Sequence, residues 1–323
     1  MKFHKKIIEL LALCIPFSIL KKASNNNIVF PFYHTISDYP LPHIKHLYKH
    51  RNIKQFEKDL DFLLENYKKI DFSELKNSTK PSFILSFDDG LSEIYNIIAP
   101  ILEKKGITAI FFVNPAFMNN KDLFHKYKIS LIIDELNKNK EKRKILKQHM
   151  PFANKKYLKS LKYSDNEQIN KIAEKINVDF AAYLKNNKPY LSLEEIIELE
   201  KKGFTIGSHS MNHPEYNHLS FNEQIQQTTE SINFVQKNCE KNCNLFAFPF
   251  TDFGVEKKFF EKIFSENIAD YTFSTAGIKN DEFIKNIQRI PVENHNSIKK
   301  SLKFEYLYFF LKKIAGKNTI IRS

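Results

Sequence analysis

The amino-acid sequence predicts an α/β fold, a barrel or incomplete barrel of roughly seven strand–helix units with a helical insertion. Short apolar runs alternate with segments of helical periodicity, as in parallel strands joined by crossover helices. This alternation stops from about residue 114 to residue 190 and then resumes. The chain has 323 residues, whereas a single barrel needs about 250, so the sequence has room for such an insertion.

The predicted strands are short apolar runs, and in the predicted helices apolar residues recur three and four positions apart. The strands cover residues 28–33, 82–87, 107–113, 204–207, 245–248, 271–274 and 287–292. The helices cover residues 54–67, 91–105, 221–238 and 256–266. Ser192 and Glu195 have the spacing of a capping box, which predicts that a further helix begins there.

These elements divide the chain into three parts. Residues 1–27 form a basic and apolar N-terminal segment, and residues 28–297 form the main domain. Residues 114–190 are rich in Lys and Asn, are largely helical in periodicity and contain no clear strand, which predicts an insertion or lid. Residues 298–323 form a basic amphipathic C-terminal helix that either docks on the barrel or lies on a membrane.

The N-terminal segment has a basic start followed by the mostly apolar residues 7–20. Those 14 residues are too few to span a bilayer, which needs about 20. The pattern resembles a signal peptide, but Glu9 interrupts the apolar run and no small-x-small cleavage site follows. A peripheral amphipathic anchor is the alternative, and residues 25–27 read as a short linker. The cell envelope and the cytoplasmic face of a membrane both remain open as locations.

The net charge of +13 favours polyanionic partners such as anionic lipid heads or acidic glycans, although a solvated Lys-rich surface explains it as well. No nucleic-acid-binding motif is present, so we expect no nucleic-acid partner. Three cysteines do not make a disulfide framework.

Two segments carry residues suited to chemistry, and each follows a predicted strand. The first is Asp88-Asp89-Gly90, in which one carboxylate could bind a metal ion while the other accepts a proton. Taken alone, this tripeptide is also typical of a turn that caps a helix. The second segment contains His209 and His213, and imidazoles four residues apart can converge on Zn²⁺ or a similar ion. In α/β barrels catalytic groups cluster at the carboxyl ends of strands, so the combination predicts a hydrolytic metal site.

With these motifs the sequence resembles the polysaccharide deacetylase family, also called the NodB-homology or carbohydrate esterase family 4 group. Residues 87–90 (FDDG) match the family's Thr-Phe-Asp-Asp-Gly motif, with Ser86 in place of Thr. Residues 209–214 (HSMNHP) match its His-Ser/Thr-x-x-His-Pro motif. Weaker similarity extends over residues 28–296 and includes residues 33–34, 246–250 and 289–292.

The resemblance implies a distorted (β/α) barrel of about seven units and assigns roles to individual residues. Asp88 would be the general base. Asp89, His209 and His213 would bind one divalent metal ion, zinc in the first place, with cobalt, nickel or manganese as alternatives. The oxyanion would be stabilised by this ion and by a backbone N–H near Pro249 and Phe250.

Two features depart from the family pattern. Ala247 occupies the position at which many members have an arginine that orients the catalytic aspartate, and Arg289 is the candidate substitute. The family's late Leu-x-His motif, which supplies the catalytic acid, has no good match here. His34 and His295 are the candidates for that role.

The expected function is therefore hydrolytic removal of N-acetyl groups from an acetamido sugar in a polysaccharide or lipid-linked glycan of the cell envelope. Two alternatives remain open. One is another metal-dependent amide or ester hydrolase, such as an O-deacetylase. The other is a catalytically weakened carbohydrate-binding homologue, which the missing arginine and the unassigned acid suggest.

Overall fold

The computed structural model describes residues 2–24, 28–240 and 243–323, so the linker predicted at residues 25–27 lies outside the described residues. The helices α1–α13 span Lys2–Cys14, Phe17–Ser24, Ile53–Asn66, Ala99–Lys105, His125–Lys138, Lys140–His149, Lys155–Ser160, Asn166–Lys175, Phe180–Asn187, Leu193–Lys201, Phe221–Asn238, Lys257–Ser265 and Ile298–Ile314. The strands β1–β13 span Ile28–Val29, Pro31–Tyr33, Lys68–Lys69, Ser82–Phe83, Leu85–Phe87, Ala109–Val113, Thr205–Ser208, Leu245–Ala247, Tyr271–Ser274, Asn280–Asp281, Asn286–Gln288, Ile290–Pro291 and Thr319–Ile320.

Eight of these strands form one parallel sheet in the order β11-β9-β8-β7-β6-β5-β2-β12. The two edge strands, β11 and β12, are separated in the sequence only by Arg289. A single segment, residues 286–291, therefore pairs with β9 on one side and with β2 on the other. The sheet curls into a nearly closed parallel barrel, and the predicted fold class is confirmed.

Three predicted strands are each divided in two in the structure. The run 28–33 breaks at Phe30, the run 82–87 breaks at Ile84, and the run 287–292 breaks at Arg289. The first halves of the two earlier runs, β1 and β4, leave the barrel and form a small parallel sheet with β3. An apolar run shows that a segment is buried, but it does not show which sheet the segment joins.

The helix predicted over residues 91–105 begins later, with a π-helical turn at Ile94–Ile98 that leads into α4. Residues 91 and 92 instead pair with residues 189 and 190, since Leu91 forms a β-bridge with Tyr190 and the Ser92 N–H donates to the Pro189 carbonyl at 2.9 Å. This pairing holds the chain after the Asp-Asp-Gly segment against the end of the 114–190 region.

The barrel interior is filled by side chains that alternate along the strands with those facing the outer helices. Interior apolar residues include Ile84, Ile110, Phe112, Leu245 and Phe273. Gly207 also faces inward, because a Cβ atom there would lie 2.5 Å from the Phe112 ring. The outward side chains of the same strands pack under the surrounding helices.

Between β6 and β7 the chain forms the helices α5–α9, which have an apolar cluster of their own around Ile132, Leu158 and Ile172. A second cluster, which includes Phe124 and Tyr127 of this region and Ile44 and Leu91 of the main domain, joins the two. The helical region is thus packed firmly beside the carboxyl ends of the barrel strands.

At the ends of the chain, α13 packs on α1, α2 and α3. The Lys303 ammonium donates to the Leu13 carbonyl at 2.7 Å, and the Tyr67 and Tyr306 hydroxyls lie 2.5 Å apart. Of the helices in the described ranges, none combines the length and the apolar character needed to cross a membrane.

Candidate metal and catalytic site

The site lies in a cavity of about 540 Å³ at the carboxyl ends of the barrel strands. Asp88 and Asp89 directly follow β5, and His209 directly follows β7. Because β5, β6 and β7 are neighbours in the parallel sheet, these strand ends meet at one edge of the barrel. The cavity is lined by Asp88, Asp89, His209 and His213 together with His34, Tyr48, Phe124, Lys126, Lys159, Phe250 and other residues.

Asp89, His209 and His213 are brought together as a group suited to holding a metal ion. One ligand atom from each residue lies within 4.8 Å of the others, and all three residues are buried. Asp89 Oδ1 lies 3.6 Å from His209 Nε2 and 3.2 Å from His213 Nε2. Two imidazoles and a carboxylate, with open positions left for water or substrate, are the ligand set of hydrolytic zinc sites.

Two observations on the side chains fit this role. Asp89 Oδ1 is buried and has no hydrogen-bond partner in the described part of the chain, and a buried polar atom of this kind calls for a ligand. His209 donates from Nδ1 to the Ala247 carbonyl at 2.8 Å, which leaves the lone pair of Nε2 directed at the group. Burial lowers the pKa of His209 to about 4, so its imidazole is neutral, as a metal ligand requires.

The other oxygen of the Asp89 carboxylate is held by the helical region. The Tyr127 hydroxyl, on α5, donates to Asp89 Oδ2, and the Tyr48 hydroxyl lies 3.1 Å from that of Tyr127. The Phe124 ring packs on the His213 imidazole, with 4.0 Å between the ring centres. Residues of the 114–190 region therefore fix the positions of two of the three potential ligands.

Four residues in and around the cavity have a backbone conformation that is unusual for non-glycine residues. Asp89, Ser210, His213 and Phe250 have φ values of 72°, 63°, 58° and 57°. The Ser210 hydroxyl accepts a hydrogen bond from the His213 N–H at 3.0 Å, which stabilises this turn. Such left-handed positions cost free energy and cluster at functional sites.

Asp88 is paired with Arg289, which sits at the break between β11 and β12. The guanidinium donates from Nη1 to Oδ1 at 2.7 Å and from Nη2 to Oδ2 at 2.8 Å, and both side chains are buried. Nη1 also donates to the Ser86 hydroxyl at 3.0 Å, and the guanidinium lies over the Phe32 ring. Burial alone would raise the pKa of Asp88, but Arg289 outweighs it and holds the pKa below its usual value. The structure thus gives Asp88 the arginine partner that Ala247 cannot supply.

His34 lines the same cavity and is paired with Glu293. Its Nδ1 lies 2.6 Å from Glu293 Oε2, and its backbone N–H donates to Glu293 Oε1 at 2.9 Å. Desolvation would lower the pKa of His34, but the Glu293 carboxylate outweighs this and raises the pKa to about 9. The imidazole is therefore protonated at neutral pH and can donate a proton into the cavity.

Phe250 lines the cavity. Pro249, the residue before it in the sequence, is not among the residues that line the cavity. Within the described residues, no hydrogen bond from the Phe250 N–H to another protein group is found. The Phe250 carbonyl, in contrast, does have a protein partner, because the Thr275 hydroxyl donates to it at 3.1 Å. This amide is available to donate to a ligand.

The structure does not bring His295 to this cavity. Its Nδ1 lies 3.2 Å from Glu9 Oε1 of α1, its ring packs on Phe304, and it lines a neighbouring cavity. Residue 295 follows a short 3₁₀ turn at Val292–Asn294, which places Glu293, rather than His295, beside His34. Of the two candidate acids, the geometry favours His34.

Sequence reasoning missed Glu293, Tyr48 and Tyr127. Glu293 lies only two residues before His295, in a segment that the sequence marked as near the site. Tyr48 lies on the loop after the first barrel strand, β2. Tyr127 belongs to a helix, and the helical periodicity indicates which face is buried but not which residues that face contacts.

Comparison with known proteins agrees with this geometry. The sequence profile described as "Polysaccharide deacetylase" matches residues 75–260, more than half of the chain. No curated protein sequence is significantly similar to the chain.

Several solved structures share the fold of this chain, and three of them are compared with it here. The Streptococcus pyogenes deacetylase PplD in complex with acetate is 15% identical, with a TM-score of 0.55 over 86% of this chain and 97% of that one. IcaB from Ammonifex degensii is 12% identical, with a TM-score of 0.57 over 87% and 98%. A de-N-acetylase from Aggregatibacter actinomycetemcomitans is 14% identical, with a TM-score of 0.55 over 86% and 99%.

The family implies a hydrolase that acts on carbon–nitrogen bonds. The profile match includes the strand ends that carry Asp88, Asp89, His209 and His213, and the barrel agrees with the structural similarity. The chain therefore belongs to the polysaccharide deacetylase family.

Proposed function

We propose that the chain is a metal-dependent hydrolase that removes N-acetyl groups from an acetamido sugar in a polysaccharide or lipid-linked glycan of the cell envelope. The observation that carries the proposal is the position of Asp88, held by Arg289 directly beside the buried Asp89, His209 and His213 group. A base and a metal site at one edge of a cavity are the parts that water needs to attack an amide.

Asp89, His209 and His213 would hold the divalent ion. When bound, this ion would polarise the acetamide carbonyl and lower the pKa of water in the site. Zinc suits two imidazoles and one carboxylate, and cobalt, nickel and manganese are the alternatives.

The chain's own residues then account for the proton transfers. Asp88, kept ionised by Arg289, accepts a proton from water as the water oxygen bonds to the acetamide carbon. The Phe250 N–H donates to the carbonyl oxygen, on which negative charge develops. His34, kept protonated by Glu293, donates a proton to the sugar nitrogen as the carbon–nitrogen bond breaks. The products are acetate and a free amino sugar.

The test is acetate release by the full chain from a chitin-type oligomer and a poly-N-acetylglucosamine oligomer, with metal analysis of the same preparation. We expect release that is lost with a chelator and restored by zinc. We expect Asp88→Asn to reduce kcat by at least about 100-fold, since general bases contribute on this scale. Activity that survives both the chelator and Asp88→Asn would overturn the mechanism.

An ester panel tests the alternative of an O-deacetylase. Acetate release from O-acetylated sugars, with none from acetamido sugars, would keep the metal site but reject the substrate class. If the chain binds these oligomers yet releases no acetate with any of the four ions, the proposed activity is wrong.

A further inference from the structure

Three helices at the two ends of the chain leave large apolar side chains exposed. Leu10 and Leu11 on α1 are 63% and 54% exposed, Ile19 on α2 is 57% exposed and Ile314 on α13 is 71% exposed. Together with Ile7, Leu13, Phe310 and Leu311, these residues form what we call the end-helix surface. Single exposed apolar residues are ordinary, but eight on three adjoining helices need an explanation.

The inner faces of the same helices are firmly packed. Ala12 and Leu20 are buried in the main core together with Leu302 and Phe309 of α13. The Phe17 ring of α2 contacts the rings of Tyr67 and Tyr306, among others. The outward apolar residues are therefore on helices whose orientation is already set by other contacts.

The charge of these helices is strongly one-sided. Their sequences contain ten lysines and two glutamates. Of the two acidic residues, Glu9 lies against His295. Lys6, Lys22 and Lys313 are exposed near the apolar residues in sequence. An apolar face flanked by lysines is the pattern of helices that lie in the interface of an anionic membrane.

We propose that the end-helix surface binds the surface of an anionic lipid bilayer, with its apolar side chains in the headgroup region and the exposed lysines beside it, such as Lys6, Lys22 and Lys313, on the lipid phosphates. The bilayer is the partner that fits both observations, because it offers apolar and anionic groups side by side. None of the described helices is able to span a membrane, so the contact lies along one face of the protein. This inference does not depend on the proposed deacetylase activity.

Co-sedimentation of the full chain with lipid vesicles tests the proposal. We expect binding to vesicles that mix phosphatidylcholine with phosphatidylglycerol, and much weaker binding to phosphatidylcholine alone. Added salt should weaken the binding to mixed vesicles, because it screens the lysine–phosphate attraction. No binding to either vesicle, or equal binding to both, would overturn the proposal.

Substitutions separate the apolar contribution from the charged one. Leu10→Ser combined with Leu11→Ser should reduce partitioning by about tenfold or more, since burial of two leucines in the interface is lost. Ile284→Ser removes a side chain that is 91% exposed on a loop elsewhere and should leave binding unchanged. Lys312→Glu combined with Lys313→Glu should remove the preference for anionic vesicles.

Thermal unfolding of each variant provides the control for folding. We expect little change because the substituted side chains are exposed, apart from Lys312, which is half-buried and lies over the Tyr308 ring. Full vesicle binding by the Leu10/Leu11 double variant would overturn the proposal. A dimer in lipid-free solution that this double variant abolishes, without vesicle binding by the original chain, would instead identify the surface as a contact between two copies.

Discussion

The barrel contributes to the site through residues at the ends of its strands, whereas the 114–190 region contributes through helices that pack against those residues. Asp88, Asp89 and His209 directly follow barrel strands, and Arg289 lies between two of them. Tyr127 and Phe124, in contrast, contact the potential ligands from outside. The barrel thus supplies the groups that could react or bind the ion, and the helical region supplies their supports.

This difference predicts a ranking of effects. Changes to the barrel pairs Asp88–Arg289 and His34–Glu293 should alter the reaction itself. Changes in the helical region should alter ion affinity and substrate preference, with smaller effects on kcat.

Arg289→Ala should lower the free energy of unfolding by about 3–5 kcal/mol, because it leaves the buried Asp88 carboxylate without a partner. The loss of orientation at Asp88 should also lower kcat by about 100-fold. Denaturant unfolding and acetate release measure the two effects. Arg143→Ala, which changes an exposed arginine on α6, is the matched control, and an equal result for the two variants would contradict the role of the pair.

Glu293→Gln should move the alkaline limit of activity to lower pH. In the original chain the Glu293 carboxylate raises the pKa of His34 to about 9, so activity should fall as the pH rises through that value. Without the carboxylate, burial dominates and lowers the pKa. A pH–rate profile of kcat measures the shift, and Glu65→Gln, at an exposed position of α3, is the control.

The ion pair between His34 and Glu293 also contributes to the free energy of unfolding. The pH dependence of this contribution follows from the raised pKa of His34. Its contribution is complete below the ordinary histidine pKa of about 6.5 and is lost as the pH rises through about 9. The contradicting outcome concerns the pH–rate profile of kcat. If the alkaline limit of activity were unchanged in Glu293→Gln, a group other than His34 would donate the proton to the sugar nitrogen.

Tyr127→Phe should weaken zinc binding by about 10–100-fold, the usual effect of removing a group that orients a ligand. The ring remains, so kcat at saturating zinc should stay close to that of the original chain. Titration with a competing chelator measures the affinity. Tyr157→Phe, which removes a hydroxyl 2.6 Å from the Gln168 amide in the same helical region, is the control. A collapse of kcat at saturating zinc would break the proposed division between barrel and helical region.

The sequence predicted the barrel because strands and helices differ in period, and the periods are local properties of the chain. It did not predict the breaks at Phe30, Ile84 and Arg289, because pairing with a particular sheet depends on residues distant in the sequence. The break at Arg289 matters most, because it lets the segment around it pair with β9 on one side and with β2 on the other, and it places the guanidinium on Asp88.

For the site, the same limit applies. Asp88 and Asp89 are adjacent, and His209 and His213 are four positions apart, so both groups were recognisable as motifs. The partners Tyr127 and Glu293 lie 38 and 259 positions from the residues they contact, and no local pattern marks them. The choice between His34 and His295 likewise depends on the turn at residues 292–294, which only the structure shows.

Lys159→Ala carries the smallest expected effect and tests the helical region at the cavity wall. Lys159 lines the cavity and is exposed, so its attraction for an anionic glycan should change kcat/KM by about two- to fivefold. The loss should appear with acidic acetamido oligosaccharides and decrease with added salt. Lys156→Ala, one helical turn earlier on α7 and also exposed, should have no such effect. A lysine that only attracts anions should not change kcat/KM for a neutral substrate. An equally large loss with neutral oligosaccharides would therefore mean that the helical region acts on the reaction itself.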